Sequence, residues 1–196
     1  MAISFENSST KINLIKAFAG ESQARNRYTF AASQAKKEGL QFLEKVFLFT
    51  ADQEKEHAKL FYNNLKPVAG ELLTLTADFP VDIYESTLDV LKAAQNNEYE
   101  EYNHAYQMFG DEAKSEGFEK IANLFYDIAK IEKVHGDRFG KFIEYIETNR
   151  LFESDKEETW ICLNCGNIYT GKKAPEICPV CDHPQGYNIR HNWILI

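Results

Sequence analysis

A Glu-x-x-His pair interrupts the apolar face of one long helical pattern in this sequence, and few folds can accommodate it. Between residues 121 and 146, apolar side chains recur at steps of three and four, which is the spacing of one buried helix face. Glu132 and His135 complete that face, although neither is apolar. Burying an unpaired carboxylate costs several kcal/mol, so the core must supply a compensating charge. A metal ion is the simplest such charge.

The same arrangement recurs elsewhere in the chain. Glu54 and His57 repeat the spacing on the apolar face of an earlier helical pattern. Glu21 interrupts a third apolar stripe, and Glu98 and Glu101 interrupt a fourth. A single inward histidine is more often a satisfied core residue than a metal ligand. Four stripes that each turn an acid inward favour a metal site instead.

Four long helices account for these stripes. Ser8, Ser9 and Thr10 are candidate N-caps of the first helix. Helices are predicted from about residue 10 to 37, 40 to 66, 81 or 82 to 116, and 118 to 148. Gly39 and Gly117 leave almost no loop within the first and second pairs of helices. Each pair is therefore predicted to be an antiparallel hairpin.

Distances along the helices place the acids at one level. Glu21 lies 18 residues before Gly39, and Glu54 lies 15 residues after it. At about 1.5 Å per residue, these two acids stand roughly 27 and 22 Å above the turn. The second hairpin repeats this arrangement about Gly117. Randomly placed surface acids would have no reason to share a level.

A connection of 14 residues, 67–80, joins the hairpins. Fully extended it reaches at most roughly 50 Å, whereas a helix of about 25 residues is roughly 38 Å long. It can therefore cross the whole bundle. Four helices with one long crossover form the ferritin-like arrangement, whose core holds two metal ions with a Glu from two helices and a Glu-x-x-His from the other two. Glu21 and Glu98 fill the single-Glu roles, and the two Glu-x-x-His pairs fill the others.

Glu101 is the inward acid that this arrangement leaves over. It lies one turn from Glu98 on the same side, so we expect it to be a ligand rather than a solvated surface acid. Four carboxylates match the charge of two ferrous ions, whereas two ferric ions favour a fifth oxygen donor. His104 forms a rival Glu-x-x-His with Glu101, but its rotation places it beside the stripe, as a flanking or supporting residue.

The end of the chain has a different character. Residues 150–158 are predicted to form a charged linker between a bundle at 1–149 and a small domain at 159–196. That domain contains two Cys-x-x-Cys motifs, whose members are Cys162, Cys165, Cys178 and Cys181. Two such motifs in a short segment are a strong signal for a tetrahedral four-thiolate site, in which zinc and a single iron fit equally well. So small a domain needs the metal to hold it together.

Composition narrows the function classes. With 196 residues, of which 44% are hydrophobic, the chain has material for one sizeable core and a small appendage. The formal net charge of -8 and the lack of a long basic run argue against nucleic-acid binding. Residues 1–10 show no export signal, and no apolar run approaches the roughly 20 residues of a membrane span. We therefore expect a soluble, cytoplasmic protein without membrane or nucleic-acid partners, in which disulfides are disfavoured.

These motifs resemble those of the rubrerythrin family over nearly the whole chain. The matching segments are Glu21-Ser-Gln-Ala-Arg-Asn-Arg-Tyr28, Glu54-Lys-Glu-His57, Glu98-Tyr-Glu-Glu101, Glu132-Lys-Val-His135 and the two cysteine motifs. The resemblance implies a non-haem di-iron centre in the bundle, joined to a rubredoxin-like domain with a single iron. It also implies a peroxidase of oxidative stress defence, which reduces hydrogen peroxide to water with electrons ultimately from NADH.

The resemblance also implies roles for individual residues. By similarity, Glu54 and Glu132 bridge the two irons, and the terminal ligands are Glu21, Glu98 and His135. One iron exchanges Glu101 for His57 as the centre goes from ferric to ferrous. The four cysteines hold the single iron.

Two tyrosines and two departures complete the comparison with the family. Tyr28 and Tyr106 match family tyrosines near the irons, although ordinary core aromatics would give the same pattern. Gln107 stands where relatives usually have proline after the tyrosine. Asp182 stands where a simple rubredoxin usually has glycine, and aspartate tolerates a left-handed backbone better than most residues.

We predict that a diferrous pair reduces peroxide by two electrons and that the cysteine site returns electrons one at a time. A rubredoxin or an NADH-dependent reductase is the expected electron donor. Relatives pair head to tail, with the cysteine iron of one chain near the di-iron centre of the other. A homodimer or larger assembly is therefore expected.

Two other functions compete with the peroxidase. The first is a ferroxidase or oxygen-reducing oxidase with the same di-iron core, against which Glu101 and the electron-delivering domain argue. The second is a non-enzymatic iron-binding bundle with a structural zinc ribbon. The lack of a fifth bundle helix, of the kind that storage cages use, argues against this second function.

Overall fold

Within residues 3–193, which the computed structural model describes, the chain forms a helical bundle followed by a small sheet. The outermost residues of the two predicted domains, 1–2 and 194–196, lie outside this range. The helices are α1 (Ser9–Lys37), α2 (Gln41–Asn64), α3 (Thr87–Glu100), α4 (Tyr106–Ser115) and α5 (Glu119–Glu147). A π-helical turn, Glu101–Ala105, joins α3 to α4, so that these two helices form one rod. The predicted bundle of four rods with one long crossover is confirmed.

Residue types explain where α1 begins and where the two helical hairpins turn. Ser8 caps α1, and its hydroxyl accepts a hydrogen bond from the amide of Lys11 at 3.1 Å. Gly39 and Gly117 adopt φ angles of 76° and 91°, which glycine reaches without a steric penalty. In both turns the amide of the next residue donates to the carbonyl five positions earlier, at 2.9 and 2.8 Å. These hydrogen bonds satisfy carbonyls at the helix ends, and both predicted hairpin turns are confirmed.

The connection between α2 and α3 is longer than the sequence predicts. It covers residues 65–86 and contains one short 3-10 turn, Lys66–Val68. The predicted start of the third helix at residue 81 or 82 is wrong, because α3 begins at Thr87. Ser86 is its N-cap, and the Ser86 hydroxyl accepts a hydrogen bond from the amide of Asp89 at 3.1 Å.

Side-chain contacts hold the residues before this cap in an extended path. Asp82 accepts a hydrogen bond from Arg27 of α1 at 2.5 Å and another from Asn97 of α3 at 2.7 Å. Both contacts come from elements distant in sequence, so helical periodicity alone does not reveal them. The end of the crossover is thereby fixed against the bundle.

The core consists of two apolar clusters, one toward each end of the bundle. The buried phenylalanines of the cluster near Gly39 are Phe42, Phe47, Phe139 and Phe142. The buried aromatic residues of the opposite cluster are Phe61, Tyr106, Phe109 and Phe125. On every rod the inward acid falls between the residues of one cluster and those of the other. The acids therefore occupy a polar layer with apolar packing above and below it.

The C-terminal domain contains a three-stranded antiparallel sheet in the order β2-β1-β3. Its strands are β1 (Glu153–Cys162), β2 (Ile168–Lys173) and β3 (Asn188–Arg190). Strand β1 begins inside the segment predicted as a linker, since residues 158–161 pair with β2 and Glu153 pairs with Lys173 across an irregularity. Only five residues, 148–152, separate α5 from the sheet. The division into 1–149, 150–158 and 159–196 stays a prediction.

The small domain packs on the end of the bundle that contains Gly39. A Cβ atom at Gly186 would lie 1.7 Å from the Gly39 carbonyl oxygen, so only glycine permits this approach. The Trp193 ring packs against Phe142 and Tyr145 of α5, with centroids 5.3 and 4.8 Å apart. The core of the small domain thus continues the apolar cluster at this end. Within the described helices, no segment is both long and apolar enough to cross a membrane.

Candidate metal centres

The acids and histidines predicted as ligands converge in the layer between the two apolar clusters. Six of them form two groups, and within each group the ligand atoms lie within 4.8 Å of one another. The first group is Glu21, Glu54, His57 and Glu132, and the second is Glu54, Glu98, Glu132 and His135. All six side chains are buried. Glu54 and Glu132 belong to both groups, so the arrangement can hold two cations that share these carboxylates.

The histidines face the shared carboxylates through Nδ1. His57 Nδ1 lies 3.0 Å from Glu54 Oε2 and 3.0 Å from Glu132 Oε1. His135 Nδ1 lies 2.9 Å from Glu54 Oε1 and 2.9 Å from Glu132 Oε2. The two imidazole rings are nearly parallel, with centroids 5.7 Å apart. Each histidine thus sits on its own side of the shared pair.

The unused polar atoms in this layer test whether a metal fits. Several buried side-chain atoms within residues 3–193 have no hydrogen-bond partner, and six of them lie in this layer, namely Glu21 Oε2, Glu54 Oε1, Glu98 Oε2, Glu132 Oε1 and Oε2, and His135 Nδ1. Such atoms are expensive to bury unless something else satisfies them. Carboxylate oxygens and imidazole nitrogens are the donors that non-haem iron prefers. The layer therefore fits a pair of iron ions.

Two tyrosines join the single glutamates to the opposite hairpin. The Tyr28 hydroxyl of α1 donates a hydrogen bond to Glu98 Oε1 of α3. The Tyr106 hydroxyl of α4 donates a hydrogen bond to Glu21 Oε1 of α1. Burial and the neighbouring carboxylates raise the pKa of both phenols well above the usual value, so both remain hydrogen-bond donors. The two tyrosines therefore contact the candidate ligands as well as filling the core.

Without metal, the cluster must hold protons. Burial raises the pKa of Glu21 to about 8. Burial also tends to raise the pKa of Glu54, but hydrogen bonds and charges from His135 and His57 lower it to about 2. Burial tends to lower the pKa values of both histidines, yet the surrounding carboxylates raise that of His57 to about 10 and that of His135 to about 12. Cations that enter the layer must displace these protons.

Glu101 lies beside the two groups rather than within them. It belongs to the π-helical turn, is partly exposed, and lines a surface cavity of about 510 Å³. Gly20, Tyr106 and residues 76–80 of the crossover also line this cavity. Burial, followed by repulsion from Glu21 and the other site carboxylates, raises the pKa of Glu101 well above its usual value. Glu101 is thus the predicted site acid that connects the buried layer to the surface.

The π-helical turn changes which residues of the α3–α4 rod point into the core, compared with the regular helix that the sequence pattern predicts. The amide of Tyr106 bonds to the carbonyl of Glu101, five residues earlier, so the rod gains one residue within the turn. Tyr106 therefore points into the core, whereas Ala105, seven residues after Glu98 and on the same face of a regular helix, is only partly buried. His104 lies at the surface, 3.8 Å from Glu100, so of its two predicted roles it takes the flanking one and not the supporting one.

Two further residues near the site escape the sequence analysis. Gln53 Oε1 lies 3.1 Å from His135 Nε2 and 3.1 Å from a guanidinium nitrogen of Arg138. Arg138 lies three residues after His135, which places it on the same helix face. That spacing is the one available signal, because nothing in the sequence pairs Gln53 with a residue of α5.

The four cysteines form the second candidate centre. Their sulfur atoms all lie within 4.8 Å of one another, and two pairs, Cys162–Cys181 and Cys165–Cys178, are 3.7 Å apart. A metal with sulfur ligands at about 2.3 Å in a tetrahedron requires sulfur separations of about 3.8 Å. None of the four is in a disulfide. A hydrogen bond from the backbone amide of His183 is the main cause that lowers the pKa of Cys181 to about 6, which favours the thiolate.

Each Cys-x-x-Cys motif is followed by a residue with a left-handed backbone conformation. Gly166 follows Cys165 with a φ of 77°, and Asp182 follows Cys181 with a φ of 57°. The amides of these two residues donate to the carbonyls of the first cysteine of each motif, at 2.8 and 3.0 Å. The predicted left-handed backbone at Asp182 is therefore confirmed. The two motifs are near copies that face each other, as a four-thiolate site requires.

Comparisons with known proteins agree with this pair of centres. The family profile described as Rubrerythrin matches residues 13–143, and the profile described as Rubrerythrin, rubredoxin-like domain matches residues 160–187. The chain is 48% identical to a rubrerythrin of Porphyromonas gingivalis over 184 residues, which cover 94% of this chain and 90% of the relative. It is 45% identical to a rubrerythrin of Clostridium perfringens, with 94% and 95% covered.

A solved structure shares the fold as well. Nigerythrin in a fully reduced, all-ferrous state superposes with a TM-score of 0.64 at 28% identity, covering 94% of this chain and 87% of that one. The ferritin-like bundle and the rubredoxin-like domain are thus established, together with the di-iron site and the four-cysteine site that accompany them. By sequence and fold, this chain belongs to the rubrerythrin family.

Proposed function

We propose that this protein is a non-haem di-iron peroxidase that reduces hydrogen peroxide to water, with electrons delivered through the four-cysteine site. The observation that carries the proposal is the presence, in one chain, of a buried carboxylate and histidine site for two irons and a four-thiolate site for one. The first site can hold two electrons, and the second can supply electrons singly. Membership of the rubrerythrin family, whose members are generally oxidoreductases, supports this assignment.

The geometry suggests a role for each ligand. Glu54 and Glu132, shared by both groups, would bridge the two irons. Glu21 would be the terminal ligand on the side of His57, and Glu98 on the side of His135. His57 lies within its group while Glu101 lies outside, which is the arrangement expected of the ferrous centre. Glu101 would replace His57 in the ferric centre.

The proposed reaction consumes two electrons and two protons and converts each peroxide molecule to two water molecules. A bound diferrous pair supplies the two electrons, one from each ion. The chain provides the surroundings of that reaction. The apolar clusters on both sides of the layer exclude bulk water, and the Tyr28 and Tyr106 hydroxyls orient Glu98 and Glu21.

The cavity at Glu101 is the proposed entrance for peroxide. Gly20 has no side chain there, and even a Cβ atom would come within 4.0 Å of Glu101 Oε1. The Glu101 carboxyl group can hold a proton, because its pKa is raised, and it stands where the cavity meets the buried layer. It is therefore placed to pass protons from the surface toward the peroxide oxygens.

The assembly proposed for electron delivery is a head-to-tail homodimer. Apolar side chains of α1 and the crossover are unusually exposed for a monomer, with Phe30 at 69%, Val81 at 80% and Ile83 at 87%. We further propose a rubredoxin or an NADH-dependent reductase as the donor. The cytoplasm is the proposed compartment, because a four-thiolate site requires reduced cysteines.

The test is to reduce the iron-loaded protein without air and to mix it in a stopped-flow cell with stoichiometric peroxide or with oxygen. We expect both iron centres to reoxidise much faster with peroxide. Faster reoxidation by oxygen would instead identify the oxidase. A colourless cysteine site would indicate zinc and would end the proposed electron route, since ferric thiolate is red.

A further inference from the structure

The di-iron layer has approximate two-fold symmetry, and besides Glu101 one pair of residues, Gln53 and Arg138, breaks it. The Glu54–His57 pair of α2 corresponds to the Glu132–His135 pair of α5, and each tyrosine donates to the single glutamate of the opposite hairpin. The surroundings of the two imidazole rings nevertheless differ. That difference concerns Nε2, the ring nitrogen that faces away from the carboxylates.

Nε2 of His135 lies 3.1 Å from Gln53 Oε1. A guanidinium nitrogen of Arg138 lies 3.1 Å from the same oxygen and 2.9 Å from the Thr50 hydroxyl. Within residues 3–193, Arg138 forms no ion pair with a carboxylate, although it is only 6% exposed. A buried guanidinium without an anionic partner is costly, so a structural role is required to explain it.

This contact determines the orientation of the Gln53 amide and the protonation of His135. A guanidinium can only donate hydrogen bonds, so the atom of Gln53 that faces Arg138 must be its oxygen. That same oxygen faces His135, so Nε2 of His135 must carry a proton and donate. The lone pair available for a metal is then on Nδ1, which is the nitrogen that faces Glu54 and Glu132.

His57 has no comparable support. The residue that corresponds to Gln53, one position before the Glu-x-x-His pair of the other hairpin, is Ile131. The residue that corresponds to Arg138, three positions after the histidine, is Leu60. Neither side chain can accept a hydrogen bond from an imidazole. Within the described part of the chain, His57 makes its side-chain hydrogen bond through Nδ1 alone.

We propose that Gln53, held by Arg138, is a positioning residue that locks His135 as a permanent metal ligand, and that its absence on the other side leaves His57 free to turn away. The inference rests on the proposed metal site and goes beyond it, because it identifies what makes two symmetry-related histidines behave differently. The lock acts through ring orientation and through the choice of the nitrogen that keeps its proton.

The first test removes the lock from the full-length protein. Zn²⁺ is the probe, because it is diamagnetic and permits calorimetry together with ¹⁵N spectra of the histidines. The wild-type chain should bind two zinc ions in the bundle, with Nε2 of His135 protonated and slow to exchange. Gln53→Leu should weaken one bundle zinc about 10- to 100-fold and speed that exchange. Gln53→Glu keeps an acceptor and should retain the wild-type result, and Asp52→Asn, at an exposed neighbour, is the control.

The second test transfers the lock to the other histidine. The double variant Ile131→Gln with Leu60→Arg introduces the corresponding acceptor and donor at two partly exposed positions, 38% and 44% accessible, where larger polar side chains can be accommodated. Nε2 of His57 should then exchange its proton more slowly than in the wild type. Ile131→Gln alone should give a smaller effect, because nothing holds its amide.

These experiments separate the lock from the site on which it depends. If the wild-type chain bound zinc only at its cysteines, the proposed bundle site itself would be wrong. If it bound two further zinc ions, and Gln53→Leu bound both as tightly with unchanged His135 nitrogen signals, the lock alone would be overturned. Equal proton exchange of His57 in the wild type and the double variant would likewise contradict it.

Discussion

The buried side chains of the di-iron layer exist in two protonation regimes, one without metal and one with it. Without metal, the native state holds more protons than the unfolded chain at neutral pH. The pKa of Glu21 rises from 4.5 to about 8, and that of His57 rises from 6.5 to about 10. The pKa of Glu54 falls instead, to about 2, so its contribution changes only below pH 4.5. Between about pH 5 and pH 9, the free energy of unfolding of the metal-free protein must therefore fall as pH rises.

We therefore predict that the Tm of the metal-free protein falls as pH is raised from about 5 to about 9. His57 stabilises the native state fully below pH 6.5 and loses that effect as pH rises through about 10. Glu21 in the unfolded chain ionises above pH 4.5, whereas the native carboxyl keeps its proton until about pH 8. Glu21 therefore lowers the stability of the native state progressively between these two pH values. Thermal unfolding of the chelated protein across this range measures the slope. Glu21→Gln should flatten it, whereas Glu56→Gln at an exposed neighbour should not.

Metal should reverse this dependence. Carboxylates and imidazoles must lose their protons to bind a cation, so the affinity for metal rises with pH. The stabilisation by metal should then be largest at high pH, where the metal-free protein is weakest. A metal-loaded protein whose Tm fell with pH as steeply as that of the chelated protein would contradict this account.

At the scale of single elements, the π-helical turn between α3 and α4 places both an acid and a tyrosine. One extra residue in the rod leaves Glu101 beside the cavity and turns Tyr106 inward to Glu21. The same insertion disturbs the regular hydrogen bonding of the helix. The side-chain amide of Gln107 donates to the Tyr102 carbonyl at 3.3 Å. Gln107 thus supplies a hydrogen bond within the turn.

We predict that Gln107→Ala destabilises the bundle by about 0.5–1 kcal/mol, because the Tyr102 carbonyl loses the hydrogen bond from the Gln107 side chain. For a chain of this size that corresponds to a fall in Tm of about 1–4 °C. Amide exchange within residues 101–107 should also become faster. Met108→Ala, at a neighbour that is 60% exposed, is the matched control. Equal exchange in both variants would show that the Gln107 side chain does not support the turn.

On the scale of the whole molecule, the position of the rubredoxin-like domain separates the two metal centres of one chain. That domain packs on the Gly39 end of the bundle through Gly186 and Trp193. Glu54 lies 15 residues along α2 from Gly39, which is roughly 22 Å at about 1.5 Å per residue. Electron transfer weakens steeply with distance, so the head-to-tail pair proposed above would serve electron delivery if it brought the cysteine site of one chain closer to the di-iron site of the other.

Mixed dimers test this route. One chain carries Cys162→Ser and Cys165→Ser and keeps its bundle ligands, and the other carries Glu54→Gln and Glu132→Gln and keeps its cysteines. Either variant alone should lack peroxide turnover with an NADH-linked donor. A purified mixed dimer should recover the turnover of one active site of the two. A mixed dimer that stayed inactive, while both chains still held their remaining metals, would indicate delivery within one chain.

Much of this protein follows from sequence alone, because helices have a constant rise. The spacing of apolar residues around Glu54 and Glu132, with glycines at 39 and 117, predicts two hairpins whose acids meet at one level. The spacing of the cysteines predicts the four-thiolate site for a similar reason, since short motifs leave few geometries open. These are properties of local chain geometry.

Tertiary structure decided the rest, because it depends on contacts between residues far apart in sequence. The start of α3 at Thr87, the partial exposure of Glu101 and the pairing of Gln53 with Arg138 all depend on neighbours from other elements. Helical periodicity assumes a uniform helix, so it cannot register the extra residue of a π-helical turn. Nor can it distinguish His57 from His135, which share one motif and differ in the side chains that tertiary packing brings to Nε2 of each ring.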